Sequence, residues 1–414
     1  MSEFRPLHVL VAGGGLAGLA TAQGLLKSGH TVEVFERDAD LNRKQGYYLH
    51  INNLGGEALR RCLPDDLFDL YLDTSRESYD RIESIVLSSQ LEELSSRPSM
   101  FQPPAGPRRH TGVHRRTLRQ VLSARLGDDL HIGAPVVSFE QDADGVTVTL
   151  ADGSTARGDV LVGADGIRSA VRTQLMPDVP VIPTGIKAIG VYGRTPITPE
   201  LDAQMPEILD QGVLMAIDQK GSRLLIATFR PRGAASEVAR SVAPDVEIDD
   251  VPPYVMISCS VERGTVVPPA SEWTPATALE MKASMLRALE GWHPAARALV
   301  EGIDPASMFA IPFGFLEPAE DWDSSRVTVV GDAAHGMLPT LGMGANLSLN
   351  DAAMLVEQLD RYGRGDVKLL EGIGTYESAM REAAYPILRA TLDHDKNFGG
   401  GALADAEASV RDDE

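Results

Sequence analysis

The chain has little cysteine, a shortage of positive charge and almost no uninterrupted apolar sequence. Only Cys62 and Cys259 occur in 414 residues, far apart. They form neither a disulfide framework nor a C-x-x-C redox pair, so reduced thiols are expected. Lysine and arginine total 38 against 59 aspartate and glutamate, a formal net charge of −21. Such a chain repels phosphate backbones, which excludes nucleic acid as a partner. The one run long enough to span a bilayer, Leu7 to Leu26, is interrupted by five glycines, so no membrane span is expected and a cytoplasmic protein is. Cysteine and histidine spacings give no metal site, and there is no internal repeat.

The interrupted run is better explained as a buried strand (Leu7 to Ala12), a turn, and a helix (Leu16 to Ser28) stopped near Gly29. Thr31 to Phe35 is a second strand, rich in β-branched residues, which completes a βαβ unit with parallel strands. Further helices are expected over Asn52 to Cys62, Arg116 to Leu126, Thr277 to Leu289, Ala295 to Val300, Ala345 to Leu359 and Lys368 to Asp393. Strands are expected over Val136 to Phe139, Val146 to Leu150, Val160 to Val162, Gly185 to Arg194, Arg223 to Phe229 and Val327 to Val330. Ser84 to Pro107 reads as a mixed segment with a proline-rich loop.

Gly13-Gly14-Gly15-Leu16-Ala17-Gly18 fits G-x-G-x-x-G. Gly13 permits the tight turn, Gly15 lets backbone approach a pyrophosphate, and Gly18 lets the helix pack on the strand. The free N–H groups at the helix start, Leu16 and Ala17 among them, and the helix dipole favour an anion there. Glu36 follows about twenty residues later at the end of the second strand, placed to accept the hydroxyls of an adenosine ribose. A carboxylate in that place disfavours a 2′-phosphate. The fingerprint by itself does not separate FAD from NAD.

Two later segments do. Leu161-Val162-Gly163-Ala164-Asp165-Gly166 follows a buried strand. Gly331-Asp332-Ala333-Ala334-His335 follows another and continues through Pro339 to Gly342-Met343-Gly344-Ala345-Asn346 and a helix. With the first turn, these resemble the single-component FAD-dependent aromatic hydroxylases, the group related to p-hydroxybenzoate hydroxylase. The match covers the cofactor-binding parts, about half the chain. The resemblance implies an α/β fold: a Rossmann-type FAD-binding domain (1–75, 100–178 and 308–365), an inserted mixed-sheet substrate domain (76–99 and 179–307), a C-terminal helix (366–397) and a disordered tail (398–414).

It also implies roles. Asp332 is expected on the ribityl chain of FAD, with Gly331 forming its turn. Pro339, Gly342, Gly344, Ala345 and Asn346 are expected against the isoalloxazine, with the helix dipole stabilising reduced flavin. Asp165 is expected near the pyrophosphate, and Arg37 and Arg43 near the nucleotide. Arg115, or its neighbour Arg116, matches the family arginine that faces the flavin. His335 and Pro339 are the candidates closest to catalysis, although the family histidine packs behind the flavin. Substrate is expected on Tyr192, Met215, Phe229, Phe313 and Leu338. The implied reaction is insertion of one oxygen atom from dioxygen into a small aromatic or polyketide-type substrate. NADH or NADPH is the reductant and a flavin C(4a)-hydroperoxide the intermediate. Epoxidation, Baeyer–Villiger insertion, non-redox cyclisation and an FAD-binding scaffold or sensor without turnover remain open alternatives. Trp273, Trp292 and Trp322 stand alone, so the W-x-W-x-I-P signature of the related halogenases is missing.

Overall fold

The first βαβ unit sets the geometry of the larger half of the molecule. The computed structural model describes residues 4–41, 47–76, 83–98, 111–183, 191–262, 264–268, 273–310, 314–319 and 321–398. Arg43, Phe313 and the tail from 399 onward lie outside the described residues. His8–Ala12 is nearly all buried and ends at Gly13, whose φ of +109° only glycine adopts without strain. The chain reverses there, runs as the helix Leu16–Lys27, and returns as Thr31–Glu36, parallel to the first strand and in register from His8↔Thr31 to Ala12↔Phe35. Val160–Gly163 adds on the other side, Val327–Val329 beyond it, and Leu130–Ile132 beside Thr31–Glu36. The result is a five-stranded sheet with every pairing parallel. Parallel strands need both faces covered. The helix Gly344–Arg364 packs on Leu16–Lys27 and Asn53–Cys62, and Leu369–Phe398 packs on it in turn.

A second sheet has seven strands, ordered Phe309–Ala310, Val191–Pro196, Tyr254–Cys259, Arg223–Phe229, Val213–Ile217, Glu83–Ser88, Glu93–Pro98. All neighbours are antiparallel except Val213–Ile217 with Glu83–Ser88. Side chains alternate between its faces. Leu214, Ala216, Leu224, Ile226, Val255 and Ile257 point to a separate apolar core closed by the helices Pro275–Ala288 and Pro294–Glu301. Tyr192, Ala227, Phe229, Tyr254, Met256 and Phe309 point the other way, into an aromatic layer that also receives Tyr48. Tyr48 lies on a two-stranded ribbon, Tyr48–Ile51 with Thr111–His114, that emerges from the larger half. This layer is where the two halves meet.

The local differences from the sequence-based expectation have physical causes. Glu93–Pro98 is an edge strand with no apolar alternation, and the ribbon strands are four residues each, so neither carries a periodic signal. Val213–Ile217 and Tyr254–Cys259 are apolar on both faces and read as irregular until they are paired. The long helices extend past their expected ends, and the last one passes through Pro386. No described helix is long and apolar enough to cross a membrane.

Candidate active site

The glycine turn shows which of its glycines face protein and which face open space. A Cβ on Gly13 would lie 2.3 Å from the Ala164 carbonyl oxygen, and one on Gly18 2.0 Å from the Gly13 oxygen. Both positions are closed by backbone. A Cβ on Gly15 would meet nothing within 4 Å. Gly15 precedes the first turn of the helix Leu16–Lys27, and no side chain caps that end. The free amides therefore face a gap suited to an anionic group. Leu16 and Ala17, both buried, form the floor.

Glu36 lies beside this turn and is 5% exposed. Its Oε2 accepts the Gly14 amide at 2.8 Å and pairs with the Arg119 guanidinium at 3.0 Å, while Oε1 accepts the Asp38 amide at 2.8 Å. Arg119 also donates to the Gly14 and Leu41 carbonyls. The carboxylate thus locks the glycine turn to the second strand, and Oε1 keeps acceptor capacity for a further donor. Arg37, the next residue, is exposed. Asp165 accepts the Ala170 amide through Oδ2 at 2.7 Å, which leaves its buried Oδ1 without a protein partner.

The Gly331–Asp332 turn closes the other end of the groove. Gly331, at φ +61°, donates its amide to Asp351 Oδ2 at 2.8 Å. Asp332 opens to the groove on one side and is packed by protein on the others. That packing pushes its carboxyl above the ordinary range, although His335 and Arg115 pull it down. Arg115 sits at the start of the helix Arg115–Ser123, half-buried, with its guanidinium over the Tyr47 ring. Arg116 turns away and bonds Asp249. Of the two arginines weighed from the sequence, Arg115 is the one directed to the groove. Pro339 is exposed in a single 3-10 turn, Gly342 is left-handed at φ +63°, and a Cβ on Gly342 would again meet open space. Gly344 and Ala345 open the long helix, so amides and dipole point at the same groove.

The face of the seven-stranded sheet forms the wall opposite. Tyr192 and Phe309 stack with centroids 5.2 Å apart, and Tyr47 lies 5.6 Å from Phe309. Met215 is half-buried on the same face. Tyr47 thus links the aromatic wall to Arg115, and through it to Asp332.

Three expected residues do not take the places assigned to them. His335 is fully buried, its Nε2 2.6 Å from Asp351 Oδ2. It cannot reach a substrate as a general base. Phe229 and Leu338 are each 1% exposed and packed shut rather than lining open space, Phe229 against His114 and Tyr254. The Asn346 side chain is also engaged within the protein: it accepts the Asn52 amide and donates to the His50 and Gly342 carbonyls. Only its backbone is left to a ligand.

A family model described as an FAD binding domain matches residues 88–253 and 316–391, more than half the chain. The chain belongs to this family of FAD-binding proteins. A second model, an NAD(P)-binding Rossmann-like domain, matches residues 11–43. A dual O-methyltransferase/FAD-dependent monooxygenase of Cercospora beticola is 30% identical over 99% of this chain and 48% of its own length. The chloroplastic zeaxanthin epoxidase of Nicotiana plumbaginifolia is 27% identical over 91% of this chain and 53% of its own. The chain therefore spans about half the length of these relatives. Among solved structures, a putative FAD-containing monooxygenase of Photorhabdus luminescens superposes with a TM-score of 0.77 at 28% identity, covering 94% of this chain and 98% of that one.

The candidate site includes residues that sequence reasoning passed over. Arg119 follows Arg115 by one helical turn, a spacing that places both on one face. Tyr47, Tyr254 and Phe309 carry no motif, and only the pairing of strands brings them together. Asp351 lies inside a helix and is visible as functional only through its bonds to Gly331 and His335.

Proposed function

We propose that this chain is a NAD(P)H-driven monooxygenase that inserts one oxygen atom from dioxygen into a small aromatic or polyketide-type substrate. The observation that carries this reading is the aromatic layer in which Tyr192 stacks on Phe309 and Tyr47 tilts against Phe309, joined through the Arg115 guanidinium over Tyr47 to the Asp332 carboxyl. Planar aromatic surfaces hold a planar substrate by stacking and exclude water at the same time. The open positions at Gly15 and Gly342, and the Asp332 carboxyl beside them, fit an extended dinucleotide such as FAD.

FAD, reduced by NAD(P)H, supplies the activation of dioxygen and the transfer of one of its atoms. The residues of the chain do the rest. The amides of Leu16 and Ala17 would hold the pyrophosphate, and Glu36 would accept from the adenosine ribose through its remaining acceptor site. Asp332 would accept from the ribityl hydroxyls, and the charge of Arg115 bears on the Asp332 carboxyl. The amino end of the Gly344–Arg364 helix, with Gly342 and Ala345, would hold the flavin ring and favour negative charge on it. The aromatic wall orients the substrate ring and keeps bulk water out. His335 acts behind this surface by fixing the Asp351–Gly331 turn.

The test uses holoprotein purified with its yellow cofactor. NADH and NADPH oxidation, oxygen uptake and product mass in isotopically labelled dioxygen are followed against a panel of phenols, naphthols and polyketide-type phenols. A panel member that stimulates oxidation and gains one labelled oxygen supports the reading. Flavin that is never reduced faster with any of them, and no labelled product, ends it.

A further inference from the structure

Arg194 is the one charged side chain that Val191–Pro196 directs to the aromatic face of the sheet. It lies two residues beyond Tyr192, so the two share that face. Its guanidinium lies over the Tyr254 ring, 5.5 Å from the centroid. Its Nε is buried with no hydrogen-bond partner, and among the described residues no carboxylate pairs with it. Arg230 of this half, by contrast, bonds Asp202 and Asp210, and Arg287 bonds Glu262. A half-buried cation with an orphaned donor is costly, and native proteins seldom leave one unexplained.

The neighbours do not compensate the charge. Tyr254 offers a ring face and bonds His114 Nδ1 through its hydroxyl at 2.9 Å. His114 is buried and stays neutral, its pKa pushed down to about 3 by burial and by the charges of Arg194 and Arg116. Arg194 therefore sits between the Tyr192–Phe309 stack and the Tyr254–His114 pair with no carboxylate partner among the described residues. The spacing is suggestive in its own right. Two residues along a strand is roughly 7 Å, about the length of a ring substituent plus one hydrogen bond.

We infer that the substrate carries an oxyanion, a carboxylate or an ionised enol, conjugated to its aromatic ring, and that Arg194 binds that oxyanion while the ring packs against the Tyr192–Phe309 pair. This deepens the monooxygenase reading and rests on it. Arg194 is then a specificity-determining residue: it selects ionised substrates over neutral ones of the same shape, and a guanidinium can offer a planar oxyanion paired donors.

Binding is read from the perturbation of the flavin spectrum in FAD-loaded protein, without turnover. One arm compares salicylate and 1-hydroxy-2-naphthoate with their carboxamides. The other compares 2-hydroxy-1,4-naphthoquinone, ionised as its enolate, with its methyl ether. In the wild type at least one anion is expected to bind more tightly than its neutral partner, and the arm in which this occurs tells carboxylate from enolate. R194M is expected to weaken anion binding about 30-fold, the worth of one charge-assisted hydrogen bond. It should leave neutral analogues unchanged, and R194K should fall between. FAD content and thermal midpoint of each variant distinguish a folding defect from a lost contact. Equal binding of anion and neutral partner in both arms, failure of every anion to bind the wild type, or an R194M variant that keeps its anion preference overturns the inference. Oxygen uptake driven by NAD(P)H is measured on the same preparations. Its absence counts against the monooxygenase reading and not against the role of Arg194.

Discussion

His114 and His335 are both buried, and their surroundings drive their protonation in opposite directions. His114, beside Arg194 and Arg116, is held neutral with a pKa of about 3. The unfolded chain takes up a proton near the ordinary 6.5 that the folded chain refuses, so acidification between those values favours unfolding. The loss should be on the order of a few kcal/mol. Urea midpoints at pH 4.5 and 7.5 are expected to diverge in the wild type and to draw together in H114Q. An equal acid loss in both proteins would show that another group controls it. His335 behaves otherwise. Burial pushes its imidazole down, but the charge and hydrogen bond of Asp351, with Asp332 nearby, outweigh burial and raise its pKa above 6.5. A raised histidine contributes fully below its unfolded value, and that contribution is lost as pH rises through the folded value. The wild type should therefore lose stability as pH climbs above 6.5, and H335Q should lose less. D351A, which leaves His335 without its counter-charge and Gly331 without its acceptor, is expected to cost about 3 kcal/mol in denaturant unfolding. A cost below about 1 kcal/mol would mean that the pair does not hold the turn.

At the scale of elements, the glycine turn separates folding from ligand binding within six residues. Gly18 has backbone 2.0 Å from where a Cβ would sit, and Gly15 has nothing within 4 Å. G18A should force the helix away from the strand and lower the stability of the apoprotein by a few kcal/mol, on the order of an overpacked core. G15A should melt like the wild-type apoprotein yet bind FAD at least about tenfold more weakly, the mark of lost close approach to a phosphate. Calorimetry on apoprotein and fluorescence titration with FAD read the two effects separately. If G15A destabilises the apoprotein as much as G18A does, the gap at Gly15 is not a ligand site. The same turn explains what could be read from the sequence. Strand, glycines, helix and the acid at Glu36 are local in the chain, so their geometry follows from spacing. The partner of Glu36, Arg119, and the stack of Tyr192 on Phe309 depend on elements far apart in sequence, and no local period announces them. His335 was attractive as a sequence candidate because it follows Asp332 closely. One helical turn nevertheless carries it from the groove into the core.

At the scale of the whole molecule, the net charge of −21 would work against the proposed nicotinamide reductant. NADH and NADPH are anions, and a protein of like sign slows their approach until salt screens the field. The cations directed to the groove, Arg115 and Arg194, are few and close to the chemistry, so they act only at short range. The expectation is therefore an inverse salt effect: kcat/KM for NAD(P)H should rise several-fold as ionic strength goes from about 0.01 to about 0.15 M, where the Debye length shrinks from roughly 30 to 8 Å. An uncharged phenol used as substrate should show no such rise. An ionised substrate is subject to both fields, repelled at a distance and held at Arg194 on contact. Added salt should then speed its capture while loosening its grip, which separates kon from koff in stopped-flow traces. A kcat/KM for NAD(P)H that instead falls with salt from the start would mean that local cations steer the reductant, and that the acidic surface is arranged away from the groove.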